Sequence, residues 1–266
     1  MRLHLPGLLV AYTDEGEGRP LLLLHGYPLS RRLWQPQVSG LSATGRLIAP
    51  DLRGHGQTDA TPGPCSVEQY ADDAARLLDA LGLTQPIIVG GLSMGGYIAL
   101  AFQRRHPQRV AGLILAATRA GADSAEGKAK RDEAAAAARA QGTRAIIDSM
   151  LPKMLAPRTY QTRPDIVAEA RAIMAATPVA GILGALAALR DRPDATQQLA
   201  TIRQPVLVIH GADDQLIPPS AAEAMAQALP NSRLALLPGC GHLLNLEQPA
   251  AFTAAVRTFV TSVSGA

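Results

Sequence analysis

A chain of 266 residues, 47% hydrophobic and 18% charged, can bury the core of one large domain, and its composition excludes a disordered polypeptide. Its net charge of +3 comes without a dense Lys/Arg stripe, so nucleic acid is not an expected partner. Two cysteines, Cys65 and Cys240, give neither a disulfide framework nor metal-ligand spacing, polar residues 13–18 come too early for a signal peptide, and no apolar run has membrane-spanning length; a cytoplasmic protein with no membrane partner is expected.

In chain order, residues 8–12 and 20–25 read as strands separated by the turn-forming segment 15–18, and 47–50 as a further short strand. Residues 68–81 carry apolar positions at helical spacing and stop on Gly82. The β-branched run 86–90 predicts a buried strand, 96–105 a helix with a basic end before Pro107, and 110–116 the next strand. Strands alternating with helices predict an α/β protein with a mostly parallel central sheet flanked by helices. From about 121 to 196 the pattern is helical throughout, at 126–141, 144–151, 164–176 and 179–189, with Pro157, Pro164, Pro178 and Pro193 between elements. The sheet then resumes at 204–210, followed by a helix at 220–229, a strand at 233–237 and a helix at 249–260. The expected organisation is a core of residues 1–120 and 197–266 with a helical cap, residues 121–196, inserted between two strands.

Ser93 lies in Gly91-Leu92-Ser93-Met94-Gly95, between the predicted strand 86–90 and the helix 96–105. A serine on a tight strand-to-helix turn bounded by glycines is presented above the sheet, which is what a nucleophile needs. Its hydroxyl requires a base. His242, in the loop Pro238-Gly239-Cys240-Gly241-His242 after the last predicted strand, stands where loops beyond parallel strand ends converge. The other histidines, His4, His25, His55, His106 and His210, read as structural or solvent-facing, and Cys240 as a small loop residue. A carboxylate must hold the base in its tautomer. Asp213 and Asp214 follow the 204–210 strand, and spacing alone does not separate them. Backbone N–H groups of Met94 and of Tyr27, in His25-Gly26-Tyr27-Pro28, are candidate oxyanion donors. No H-x-x-x-H pair, Cys/His cluster or dinucleotide glycine fingerprint occurs, so neither a metal nor a cofactor is expected.

In the chain order Ser, Asp, His these pieces resemble the α/β-hydrolase fold family, and the similarity covers nearly the whole chain. It is carried by His25-Gly26-Tyr27-Pro28, Asp51-Leu52-Arg53-Gly54-His55-Gly56, Gly91-Leu92-Ser93-Met94-Gly95-Gly96, the loop 211–218 and Gly241-His242 with Glu247-Gln248-Pro249. The family's Gly-x-x-Asp-x-x-x-Pro acid pattern falls on Asp214. The cap and the tail after His242 look most like the carboxylesterase and 3-oxoadipate enol-lactonase branch. The chain departs from the lactonases in having no cap tryptophan, since its single one, Trp34, lies elsewhere. The resemblance implies a serine hydrolase that cleaves small to medium carboxylic esters through Ser93, His242 and Asp214, acting as a monomer or homodimer on a small-molecule ester or lactone. Met150, Met154 and Leu243 are the candidate substrate-binding residues, with Leu151 and Leu155 beside them. A lactonase with an anionic substrate would use an arginine, for which Arg119, Arg131 and Arg190 are available, though each reads as a solvent-facing charge. A slow-turnover ligand receptor of the same fold is the remaining alternative.

Overall fold

A computed structural model describes residues 1–61 and 63–264. Its centre is an eight-stranded sheet of β1 (Arg2–Leu5), β2 (Leu8–Glu15), β3 (Pro20–Leu24), β4 (Arg46–Pro50), β5 (Ile87–Leu92), β6 (Val110–Ala116), β7 (Val206–Gly211) and β8 (Ser232–Leu237), in the order β1-β2-β4-β3-β5-β6-β7-β8. Among these, β2 alone pairs antiparallel, to β1 and β4; every other pairing is parallel. The mostly parallel sheet expected from the sequence is therefore present.

The inner strands are apolar on both faces because both faces are covered. Leu22 and Leu24 of β3 enter one core layer, and Leu21 and Leu23 the other. The same alternation continues in β6, with Leu113 and Leu115 on one side and Ile114 and Ala116 on the other. Truncating any of Leu22, Leu23 or Leu24 to alanine would cost about 2–5 kcal/mol. That packing makes the strand ends a rigid platform.

The helices, in chain order, are α1 (Val38–Ser42), α2 (Val67–Ala80), α3 (Met94–Arg105), α4 (Ala125–Gln141), α5 (Thr143–Met150), α6 (Pro157–Thr162), α7 (Pro164–Ala175), α8 (Val179–Asp191), α9 (Thr196–Leu199), α10 (Pro219–Ala228), α11 (Leu244–Glu247) and α12 (Pro249–Ser264). Helix α2 begins at Ser66, whose hydroxyl accepts the Gln69 N–H, and ends at Gly82, which takes φ +71°. Helices α2, α3 and α10 contribute to one core layer, and α1 and α12 to the other. No single helix among the described residues is long and apolar enough to cross a membrane.

Between β6 and β7 the chain is helical, from α4 to α9. The Ala-rich α4 lies along α8, and its Ala138 is buried with Ala185 and Ala188 of α8 in one core layer. Small residues allow that close approach. Polar ties fasten this insertion to the sheet loops. Thr177 Oγ1 donates to Pro28 O at 2.9 Å, and Glu247 accepts from Ala156 N (2.9 Å), Thr159 Oγ1 (2.5 Å) and Gly241 N (2.7 Å).

Candidate active site

Ser93 follows the last residue of β5 and precedes the first of α3, at φ 57° and ψ −113°. A non-glycine residue there carries strain of about 1–3 kcal/mol, which its surroundings must impose. The Ser93 N–H donates to Ala116 O at 2.8 Å, and its carbonyl accepts from Gly96 N and Thr118 Oγ1, each at 2.9 Å. The turn is too tight for side chains at its shoulders. A Cβ on Gly91 would lie 2.0 Å from Gly95 O, and one on Gly95 would lie 2.1 Å from Leu24 O. Met94 opens α3, where the first N–H groups have no intrahelical acceptor.

Across the ends of the parallel strands, Asp214 follows β7 and His242 follows β8. His242 Nδ1–H donates to Asp214 Oδ2 at 2.7 Å, and both side chains are buried. That bond fixes the tautomer and leaves Nε2 as the second ring nitrogen. Asp214 Oδ1 accepts the N–H groups of Leu216 (2.8 Å) and Ile217 (3.0 Å). A second imidazole shares the carboxylate: His210 Nε2 lies 3.1 Å from Asp214 Oδ2 and 2.9 Å from Ile217 O. Burial opposes ionisation of Asp214, but the His242 charge, hydrogen bonds from both histidines and the Ile217 amide outweigh it, holding the carboxyl far below its ordinary value. Asp213 is exposed and only its N–H is engaged, with Cys240 O at 3.0 Å.

Ser93 and His242 open onto one cavity of about 120 Å³. Tyr27, Met94 and Tyr97 line its sheet side. Met150, Leu189, Leu216 and Ile217 give it apolar walls, and Arg119 and Arg131 complete the lining. Behind these arginines lies Asp123, itself buried. It accepts from Arg119 Nη2 (2.5 Å), Arg131 Nε (3.0 Å) and Arg192 Nη2 (2.9 Å). Burial raises the Asp123 carboxyl, yet Arg192 and Arg131 together bring it below its ordinary value. Arg192 is almost fully buried, 4.2 Å from the centre of the Tyr97 ring, and also donates to Leu189 O and Gly121 O.

A family model described as alpha/beta hydrolase fold matches residues 19–249. This chain belongs to that family. Its likeness to individual hydrolases extends over nearly its full length. A thermophilic esterase from Thermogutta terrifontis, solved with malate bound, is 39% identical with a TM-score of 0.96, covering 99% of each chain. The enol-lactonase from Burkholderia xenovorans LB400 is 30% identical with a TM-score of 0.90, over 98% of this chain and 100% of the other. A pimeloyl-[acyl-carrier protein] methyl ester esterase from Aromatoleum aromaticum is 36% identical over 247 residues, covering 86% of this chain and 93% of its own. The chain is thus a hydrolase, and its relatives include both branches named from the sequence.

Two residues expected to bind substrate do not face the hydrolase cavity. Met154 and Leu243 are both buried in the core layer beneath it, and Leu243 N–H donates to Met154 O at 3.0 Å. Leu151 and Leu155 lie in the same layer, so of the four cap residues Met150 alone lines the cavity. Apolar residues in an insertion divide between core and pocket according to how the helices dock, which periodicity does not specify. Arg119 and Arg131, read as solvent-facing, line the cavity instead, whereas Arg190 pairs at the surface with Asp132 and Asp191, each at 2.8 Å. The role of His210 beside Asp214 had no sequence signal beyond its place at the end of a strand. Cys240 is buried, donates to Leu237 O, and burial with nearby acidic charge pushes its thiol up to about 12, as suits a packing residue.

Proposed function

We propose that this hydrolase is a serine carboxylesterase for short-chain esters, with Ser93 as nucleophile, His242 as general base and acid, and Asp214 as the carboxylate that orients His242. The supporting observation is the 2.7 Å bond from His242 Nδ1 to Asp214 beside a serine held at positive φ on the same cavity. Ser93 Oγ attacks the ester carbonyl as His242 Nε2 takes its proton. The N–H groups of Met94 and Tyr27 receive the developing oxyanion, each worth about 3 kcal/mol of barrier. When the tetrahedral adduct collapses, His242 returns the proton to the departing alcohol and leaves an acyl ester on Ser93. Water then attacks that ester, His242 takes the water proton, and the acid is released with Ser93 restored.

A cavity of 120 Å³ is well below the roughly 300–1,000 Å³ of pockets for drug-sized ligands, which favours short acyl and alcohol groups. Residues 121–196 act as a cap that walls this space through Met150 and Leu189. Ser93→Ala should abolish turnover of p-nitrophenyl acetate and butyrate while circular dichroism and the melting temperature stay close to wild type. Full turnover in that variant would refute the assignment. Lactone hydrolysis is the second reading, favoured by the two arginines in the cavity; it uses the same serine chemistry, with the alcohol remaining tethered to the product.

A further inference from the structure

We propose that the cavity beside Ser93 takes a substrate that carries a carboxylate, held by the guanidinium groups of Arg119 and Arg131 together with the Tyr27 hydroxyl. This rests on the serine-hydrolase reading and deepens it by giving the substrate a charge.

Some arginines elsewhere in the molecule grip a carboxylate with two bonds. Arg53 makes two bonds to Asp73, at 2.7 and 2.8 Å, and Arg46 makes two to Asp14, at 2.8 and 2.7 Å. At the cavity, one buried carboxylate, Asp123, serves Arg119, Arg131 and Arg192. The exposed Asp194 also feels the Arg192 charge, yet three guanidiniums against two carboxylates leave the wall positive. Arg192 spends its two terminal nitrogens on Asp123 and backbone carbonyls, lies against the Tyr97 ring and does not line the cavity, so the positive charge offered to a ligand there is that of Arg119 and Arg131.

Both retain donor capacity. Arg119 uses Nη2 on Asp123 and its Nε is buried without a partner; Arg131 uses Nε, leaving its two terminal nitrogens. The Tyr27 hydroxyl is likewise buried and unpartnered, and it lies close enough to Arg131 to feel its charge. Buried donors left without acceptors cost free energy, and a ligand oxygen relieves that cost. Planar guanidiniums fit a carboxylate with two parallel bonds, and low-dielectric walls strengthen them. Asp123, from behind, sets the angle at which both arginines are offered. The structure thus assigns Asp123 a positioning role and the two arginines the binding role.

The test compares charged esters with neutral ones of the same shape. Monomethyl succinate against methyl 4-methylpentanoate places the charge on the acyl side, and O-acetylglycolate against isobutyl acetate places it on the alcohol side. Wild-type kcat/KM should favour the charged member of one pair by at least tenfold. Arg119→Gln and Arg131→Gln should lower that ratio about 10–100-fold, the worth of a charge-assisted hydrogen bond, and Arg131→Lys should restore part of it. Equal treatment within both pairs, or a ratio unmoved in both Gln variants, overturns the proposal. Titrating succinate into Ser93→Ala protein by calorimetry reads the same site without turnover: binding lost on adding Arg119→Gln and Arg131→Gln supports it, and no binding at millimolar succinate counts against it. Because that titration needs no reaction, failure of the serine assignment and failure of the charge assignment give different results.

Discussion

Asp123 and Asp214 are both buried aspartates beside the same cavity, and both are ionised against the penalty of burial. They differ in what surrounds them. Asp214 faces two imidazoles and two backbone amides that fix its angle. Asp123 faces three guanidinium groups and, among the described residues, no imidazole. In the function proposed above, the same side chain therefore orients a proton carrier in one place and anchors a positive cluster in the other. Partner chemistry, more than the acid itself, decides the role.

The sharpest way to break this contrast is to remove each charge in turn. Asp214→Asn should keep the fold and lower kcat for p-nitrophenyl butyrate about 10⁴-fold, because the amide favours the wrong histidine tautomer. Asp123→Ala should act on stability first. It leaves Arg192, only 4% exposed, as a buried unpaired cation, and urea unfolding should show a loss of about 3–5 kcal/mol. A large kcat loss with unchanged stability in Asp123→Ala would make the two aspartates alike.

Acid should separate these carboxylates from the histidines behind Tyr27. His25 and His55 are fully buried and neutral, and burial lowers them to about 4 and about 3; the Arg31 charge also lowers His25, and the His25 charge lowers His55. Unfolding lets each take up a proton at its ordinary value near 6.5. Their contribution to stability is complete above about pH 6.5 and falls as pH drops toward 4, by up to about 1.4 kcal/mol per pH unit for each. Asp123 and Asp214, whose carboxyls are lowered on folding, add their own loss only below about pH 4. Urea midpoints measured from pH 7 to pH 3 should thus decline in two stages. The smallest expected effect is Met150→Ala, which should raise KM for a neutral ester about three- to tenfold by removing apolar wall.

Much of this contrast was hidden in the sequence. The strands 110–116 and 20–24 announce themselves through apolar β-branched and leucine runs, and Ser93 through glycines that only close packing explains. Asp214 was distinguished from Asp213 by family pattern; the spacing of two adjacent acids left them equal. Strand β1, Arg2–Leu5, was missed because its alternating charged and apolar residues sit at a sheet edge. The segment Arg31–Ser42, a short tight helix leading into α1, was missed because Pro36 interrupts it. Asp123 and its arginines come from three separate stretches, and nothing in Arg119, Arg131 or Arg192 alone says that they meet. Charge clusters assembled by docking have no local signature.

The Glu247 carboxylate ties the insertion to the loop that carries His242. It gathers donors from Ala156 and Thr159 in the insertion and from Gly241, the neighbour of His242. Were this end to swing outward, those donors would lose their common acceptor and the loop that carries His242 would be pulled with them. Arg119 and Arg131, in the cavity lining, remain 38% and 28% exposed. The part of the cavity lining that meets solvent at these two residues therefore also carries its positive charge.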